Sequence, residues 1–159
     1  MGHLFPHERY SNDLAIEESS VTEAPSKSGP HQRTRRDHAT ETAEDYVEAV
    51  ADILDAQKTC RVTGLAKRFA VSHVTVNRIV GRLANEGLLA TKPYQPITLT
   101  SKGRRLAARC RQRHAIVYRF LLAIGIDETT AAIDAEGMEH HVSSTTLHRL
   151  EELVEQWGG

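Results

Sequence analysis

Residues 62–83 read VTGLAKRFAVSHVTVNRIVGRL, and their apolar positions form two short helical sets on either side of Ala70-Val71-Ser72. Leu65, Ala66 and Phe69 make the first set; Val76, Ile79, Val80 and Leu83 make the second, both at helical spacing. Small Ala66 permits a close crossing and Ser72 suits the cap of the second helix, so helices are predicted over about 62–69 and 73–86. Gly87 supplies a left-handed stop after the second helix. Two β-prone runs follow, Leu88–Lys92 and Ile97–Thr100, joined by Pro93-Tyr94-Gln95-Pro96 as a hairpin with a proline-bounded tip. A helix, a tight turn, a second helix and a hairpin describe a winged helix-turn-helix.

Working outward, a helix is predicted over about Thr42–Lys58. Ala43, Tyr46, Val47, Val50, Ile53 and Leu54 lie on its apolar face, and Glu41, Asp45, Glu48, Asp52 and Asp55 on the opposite one. Downstream, a long helix over about Ser101–Ile124 carries Leu106, Cys110, Val117 and Leu121 along one stripe until Gly125 breaks it. Two more helices follow, about 128–141 capped by Asp127 and about 144–157 capped by Ser143. Leu147, Leu150, Val154 and Trp157 form the apolar face of the last.

The fold class is therefore mainly α: an N-terminal winged helix-turn-helix domain joined by a long helix to a helical dimerisation domain. Residues 1–41 read as a disordered tail, 42–101 as the winged helix and 102–159 as the helical metal-binding and dimerisation domain. The tail, with SSVTEAPSKSGPHQRTRR, lacks lasting periodicity. Its Arg33, Arg35 and Arg36 read as solvated linker charge, and His3, His7 and His31 carry no ligand spacing.

The chain has 159 residues, 40% of them hydrophobic, enough for a packed core. No apolar run approaches the roughly 20 residues that span a bilayer, which excludes a membrane-spanning helix. MGHLFPHERYSNDL lacks a basic and then apolar leader, so a cytoplasmic chain is expected. Cys60 and Cys110 match no disulfide framework or C-x-x-C metal pattern and read as plain buried thiols.

A net charge of −1 conceals a strong segregation. Residues 37–57 hold seven acids and no Lys or Arg, and residues 58–113 hold thirteen Lys/Arg against the single acid Glu86. Residues 114–159 return to eight acids against two Arg. A compact block with net charge +12 is the electrostatic footprint of a polyanion-binding module. Within it, Ser72, His73, Val74, Thr75, Asn77 and Arg78 are placed to face the major groove of double-stranded DNA. Thr75 suits a base methyl or phosphate, Asn77 an adenine edge, and Arg78 guanine or phosphate. Lys67, Arg68, Arg82, Lys92 and Lys102 would clamp the backbone. The bland alternatives are a solvated basic face and a winged helix that docks protein.

The second constellation is Glu136-Gly137-Met138-Glu139-His140-His141. Positions i, i+3 and i+4 share a helix face, so Glu136, Glu139 and His140 converge either as a metal half-site or as a polar surface. Asp45 and Glu48 are i,i+3 on the first helix, where Asp45 could instead complete a capping box with Thr42. His114 falls within the apolar stripe of the long helix, where a satisfied core histidine is the default. Taken together they amount to four carboxylates and two imidazoles, an oxygen-rich and thiolate-free set that suits a hard divalent ion such as Mn²⁺ better than structural Zn²⁺.

The sequence resembles the DtxR family of metal-dependent repressors, on its manganese-sensing MntR branch. The resemblance rests on AEDYVEAV at 43–50, the winged-helix segment, LTSKG at 99–103, RQRHAIVYRFLLAIGI at 111–126 and DAEGMEHHVS at 134–143. It implies two Mn²⁺ per subunit held by Asp45, Glu48, His114, Glu136, Glu139 and His140, with Fe²⁺ or another divalent metal as the alternative. Iron-sensing relatives carry softer Met and Cys ligands where this chain has Asp45 and Glu136, which favours manganese. The sequence stops at Gly159, so the resemblance implies the short form without the C-terminal SH3-like domain of many relatives. Val74 stands where relatives often have proline or a small polar residue, so operator preference does not carry over.

The resemblance further implies a homodimer on a palindromic operator, with Mn²⁺ as corepressor of manganese import genes and no membrane partner. Metal would neutralise the clustered carboxylates and fix the pose of the two winged helices by population shift. Moving from mostly incompetent to mostly competent takes about 5.5 kcal/mol of differential metal affinity. An enzyme is not expected: HEXXH is missing, H-x-x-E-H fails at Gly137, and no G-x-S-x-G or phosphate-cradling loop exists. A metal-independent winged-helix regulator remains the main alternative.

Overall fold

A computed structural model describes residues 30–92 and 95–157, with side chains from Asp37 onward. Helix α1 spans Pro30–Gln57, so it starts well before the expected Thr42. Between His31 and Gln57 the sequence has no glycine or proline to break it. Thr42 is an interior residue whose Oγ1 donates to the His38 carbonyl at 2.7 Å, so it does not cap a helix with Asp45. The expected disordered tail therefore loses Pro30–Glu41 to α1. Its remainder, residues 1–29, and the side chains of Arg33, Arg35 and Arg36 lie outside the described residues.

The winged helix follows the expected plan. Helices α2 (Val62–Phe69) and α3 (His73–Asn85) are linked by Ala70, whose φ of 53° is left-handed. Ser72 caps α3 by accepting from the Thr75 amide at 3.1 Å. Strands β1 (Leu89–Ala90) and β2 (Thr98–Leu99) pair antiparallel, with Leu89 opposite Leu99. A single bridge from the Ile97 amide to the Cys60 carbonyl ties the hairpin to the α1–α2 turn. The expected tip residues Pro93 and Tyr94 lie outside the described residues.

Helix α4 (Ser101–Ala123) begins at a tightly built corner. Thr100 Oγ1 accepts from the Gly103 amide at 3.0 Å and donates to the Gly87 carbonyl at 2.7 Å. Gly103 packs against the wing so closely that a Cβ there would stand 2.1 Å from the Leu88 carbonyl oxygen. Helices α5 (Glu128–Met138) and α6 (Ser144–Trp157) complete the chain. Asp127 caps α5 through the Thr129 and Thr130 amides, and Ser143 caps α6 through Thr146. Helix α5 stops at Met138, short of the expected residue 141, so His140 sits in the following turn.

Two cores result. The larger joins α1, α2, α3, both strands and Ala107 of α4, and includes Val47, Val50, Leu65, Val76, Leu83 and Ile97. Tyr46 stacks on Phe69 in it, with ring centroids 4.4 Å apart. The smaller joins Ile116, Val117 and Leu121 of α4 with Ala131, Ala135 and Leu147. Helix α4 belongs to both and bridges them. Trp157, expected on the buried face of α6, is half exposed and leans on Phe120. Cys60 and Cys110 are free and fully buried, and burial pushes their thiols up to about 11 and about 12. No helix among the described residues is long and apolar enough to cross a membrane.

Candidate metal centre and nucleic-acid interface

The N-terminal half of α3 presents the expected outward residues. His73, Asn77 and Arg78 are exposed, and Val74 is 78% exposed although apolar. Thr75 is half-buried, with its hydroxyl 3.0 Å from that of Ser72, so both hydroxyls serve the cap. A groove beside α3 is lined by Arg61, Thr63, Asn77, Thr91, Lys92 and Gln95, which puts Lys92 of the wing and Asn77 of the helix on one surface.

Three of the expected backbone clamps instead have partners within the chain. Arg82 is half-buried, and its Nη2 donates to the Ala39 carbonyl of α1 at 3.3 Å. Arg68 pairs with Asp52 of α1 at 2.7 Å, and Arg111 joins Asp52 and Asp55 from α4. Lys102 donates to the Glu86 carbonyl at 2.8 Å, at the end of α3. Two of the seven acids of residues 37–57, Asp52 and Asp55, thus partly offset the basic block next to them in space.

The second cluster gathers at the seam between the two cores. Asp45 and Glu48 project from α1, His114 from α4, Glu136 from α5, and Glu139 and His140 from the end of α5. Glu139 is the centre: it is 1% exposed and lies between both imidazoles. Its Oε2 stands 3.1 Å from His114 Nδ1, and its Oε1 3.7 Å from His140 Nε2. His140 Nε2 is also 3.2 Å from Asp45 Oδ1, and His114 Nδ1 is 3.7 Å from Glu136 Oε2. Glu136 is not buried with Glu139 but stands largely in solvent. The trio therefore does not converge evenly: Glu139 and His140 point inward, and Glu136 closes the outer edge.

The electrostatics are those of crowded carboxylates. Burial pushes Glu48 up to about 7, aided by the charges of Glu139, Glu136 and Asp52. Glu139 is likewise pushed to about 7, by burial and Glu136 against the pull of His140 and Arg113. Burial also raises Asp45, although His140 opposes it. Glu139 Oε2 has no aligned hydrogen-bond donor despite its burial. Among the described residues no three His, Cys, Asp or Glu side chains stand in finished ligand geometry; both nitrogens of His140 and Nδ1 of His114 face carboxylate oxygens instead. An orphaned buried carboxylate oxygen within a set of hard oxygen donors and imidazoles fits a divalent cation such as Mn²⁺.

Comparison with known proteins adds an independent observation. Residues 38–97 match the family model described as iron dependent repressor, N-terminal DNA binding domain. Residues 100–157 match its companion, the iron dependent repressor metal binding and dimerisation domain. These are the two domains of DtxR-type repressors. The chain belongs to the DtxR family. It is 39% identical over 127 residues to the transcriptional regulator MntR of Escherichia coli, covering 80% of this chain and 82% of that one. Identity to the MntR of Bacillus subtilis is 34%, over 73% of this chain and 82% of the relative. A solved manganese-dependent transcriptional repressor in complex with manganese is similar at 29% identity and a TM-score of 0.60, over 70% of this chain and 52% of that one. The metal-dependent regulator MtsR shares the fold with a TM-score of 0.65 at 24% identity, over 71% of this chain and 53% of MtsR. The chain thus spans about half the length of these solved relatives.

As a DtxR-family member the chain is a DNA-binding transcriptional regulator with a metal-binding and dimerisation domain. The structure of this DtxR-family chain also reveals two site residues absent from the sequence reading. Glu44, beside Asp45 on α1, is 6% exposed, and its Oε2 accepts from Arg113 Nη2 at 2.5 Å and from His140 Nδ1 at 2.8 Å. Burial opposes ionisation of Glu44, but these two partners outweigh it and hold the carboxyl below its ordinary range. Burial likewise opposes charge on His140, and the bond to Glu44 with the charges of Asp45 and Glu139 holds the imidazole above its ordinary value. One signal was available: Arg113 lies three residues after Cys110 and four before Val117, so a cation occupies the buried stripe of α4 and demands a partner.

Proposed function

We propose that the chain is a cytoplasmic, manganese-responsive repressor in which up to two Mn²⁺ per subunit act as corepressor for binding a palindromic operator as a homodimer. The supporting observation is Glu139, a buried carboxylate between two imidazoles with an oxygen that lacks a donor. Asp45, Glu48, His114, Glu136, Glu139 and His140 are the residues that would hold the metal. Divalent cations held there would supply the positive charge that offsets the crowding of these carboxylates.

The chain's own residues provide the transmission. Asp45 and Glu48 share α1 with Ala43, Val47 and Val50, which are core residues of the winged helix. Fixing one face of α1 therefore fixes the domain that presents α3. His114 and Glu139 belong to the α4–α5 half, whose family role is dimerisation. Drawing Asp45 and Glu48 onto them sets the pose of α3 relative to the dimer axis, and a palindrome rewards only the pose that matches its half-site spacing. Val74, Asn77, Arg78 and Lys92 would then meet DNA, with His73 at the helix start and Ser72 and Thr75 shaping it. Arg82 acts from behind, by tying α3 to α1.

The test is operator affinity against free metal by fluorescence anisotropy at fixed salt. A palindromic fragment from the gene's own promoter is compared in chelator, Mn²⁺, Fe²⁺ and Zn²⁺. Strong Mn²⁺ stimulation is expected. Equal binding in chelator overturns the corepressor role, and stronger stimulation by Fe²⁺ than by Mn²⁺ makes the chain an iron sensor.

A further inference from the structure

Residues adjacent on an α-helix point about 100° apart. Asp45 faces the carboxylate cluster, so its neighbour Glu44 turns toward α4, where it is buried. One oxygen of Glu44 receives both Arg113 Nη2 and His140 Nδ1. Three separate elements meet on that atom: α1 through Glu44, α4 through Arg113, and the turn after α5 through His140. The opposite edge of the His140 ring, Nε2, is the one that faces Asp45 and Glu139.

A neutral imidazole carries one N–H and one lone pair. Carboxylates face both edges of His140, but only Glu44, at 2.8 Å from Nδ1, stands in hydrogen-bond geometry, whereas Asp45 is 3.2 Å from Nε2, so the proton is drawn to Nδ1. We propose that Glu44, steadied by Arg113, is a positioning residue that holds the His140 proton on Nδ1 and leaves the Nε2 lone pair directed at the Asp45/Glu139 side. Metal-ligating imidazoles depend on such an outer partner for tautomer and ring orientation. Arg113 donates to the same Glu44 oxygen and fixes the carboxyl in place beside the His140 ring. Its Nη2 also reaches Cys110 Sγ at 3.6 Å, and its Nε is buried without a partner, so Glu44 is the one carboxylate this guanidinium pairs with. The same oxygen ties α1 to the α5 turn with no metal ion involved, which would preassemble half of the seam. The consequence for metal affinity rests on the manganese reading above; the tautomer does not.

Two variants of the full-length dimer test it. Glu44→Leu combined with Arg113→Met removes the pair together and leaves no stranded charge, a kind of replacement that folded proteins commonly tolerate. Glu44→Gln keeps the shape and an acceptor oxygen. Long-range ¹H–¹⁵N spectra of chelator-treated protein at pH 9, assigned by loss of the signals in His140→Gln, report which ring nitrogen carries the proton. Wild type should show the Nδ1–H form, and the double variant a mixture dominated by Nε2–H. Mn²⁺ titration, read by loss of the free-ion EPR signal, should show one binding step weakened about 10–100-fold in the double variant and less in Glu44→Gln. The other step should keep its affinity, because the hydrogen bonds of Glu44 go to Arg113 and His140 and not to Glu48 or His114.

A wild-type tautomer with Nε2–H, or a double variant that keeps Nδ1–H, overturns the proposal. So does parallel weakening of every step with the tautomer unchanged, since that marks mere loosening of α1. If the double variant does not fold, wild-type Mn²⁺ affinity in Glu44→Gln overturns it. A wild-type protein that takes up no Mn²⁺ defeats the corepressor reading instead, and the nitrogen spectra still decide the tautomer.

Discussion

Glu139→Gln should make the metal-free protein more stable and the metal response weaker. Glu139 is 1% exposed and is pushed from the ordinary 4.5 to about 7 by burial and by Glu136. A carboxyl raised in the folded state costs nothing below 4.5, where both states are protonated. The cost grows as pH rises from 4.5 and is complete above about 7, once the folded carboxyl is also ionised. Moving a carboxyl over that interval amounts to about 3 kcal/mol. Glutamine has the same shape without the charge, so in chelator at pH 8 it should recover up to about 3 kcal/mol, or a rise in Tm of order 5–10 °C for a domain of this size. At pH 4.5–5 the difference should shrink toward zero. Saturating Mn²⁺ should reverse the order at pH 8, because wild type gains the ligand-binding contribution and the variant loses most of it. Calorimetric melts at both pH values, with chelator and with Mn²⁺, supply the four numbers needed. A variant no more stable than wild type in chelator at pH 8 would refute the claim that this seam stores electrostatic strain.

Arg78→Ala should lower operator affinity and reduce the salt slope of binding by about 1, as expected for a lost phosphate or base contact. Arg82→Ala should leave that slope unchanged and lower Tm instead, because Arg82 bonds the Ala39 carbonyl; a slope change for Arg82 that matches Arg78 would put both on DNA. Gly103→Ala should destabilise by about 3 kcal/mol in urea unfolding, at or above the top of the usual overpacking range, since its Cβ would meet the Leu88 carbonyl oxygen at 2.1 Å. A loss under about 0.5 kcal/mol would mean the wing can slide away from α4 at little cost.

What could be read from the sequence divides along physical lines. The helices of the winged helix and of the C-terminal half follow from apolar spacing and local caps, and Ser72, Asp127 and Ser143 cap where their sequence positions indicate. Local signals failed where competing ones had equal strength. Thr42-x-x-Asp45 reads as a capping box, yet nothing upstream stops the helix, so α1 runs from Pro30 and Thr42 bonds backward to His38. Helix α5 loses its last turn because Glu139 and His140 are held by contacts with α1 and α4, which no local pattern encodes. Basic residues in a charged block look alike in sequence. Only the fold separates Arg78, which is exposed, from Arg82 and Arg68, which it bonds to Ala39 and Asp52 of α1. Glu44 was hidden for a related reason: within an acidic run, one carboxylate facing inward is distinguishable only by its partner.

The two cores explain why a seam of this composition can act as a switch. Helix α4 is continuous through both, so the halves cannot separate by bending at a loop between them. The adjustable surface is where α1 meets the turn after α5, and its identified links are polar: Glu44 and Asp45 with His140, and Glu41 with His141 at 3.3 Å. An apolar seam would close permanently, because burial of apolar surface depends little on solution conditions near 25 °C. A seam of carboxylates and imidazoles closes only when positive charge is supplied, and how firmly depends on which charge. Protons satisfy one oxygen each, whereas a divalent cation can draw several ligands from α1, α4 and α5 to one point. The arrangement therefore favours coupling metal occupancy to the pose of α3, and Glu44 keeps the two sides in register while the charge is absent.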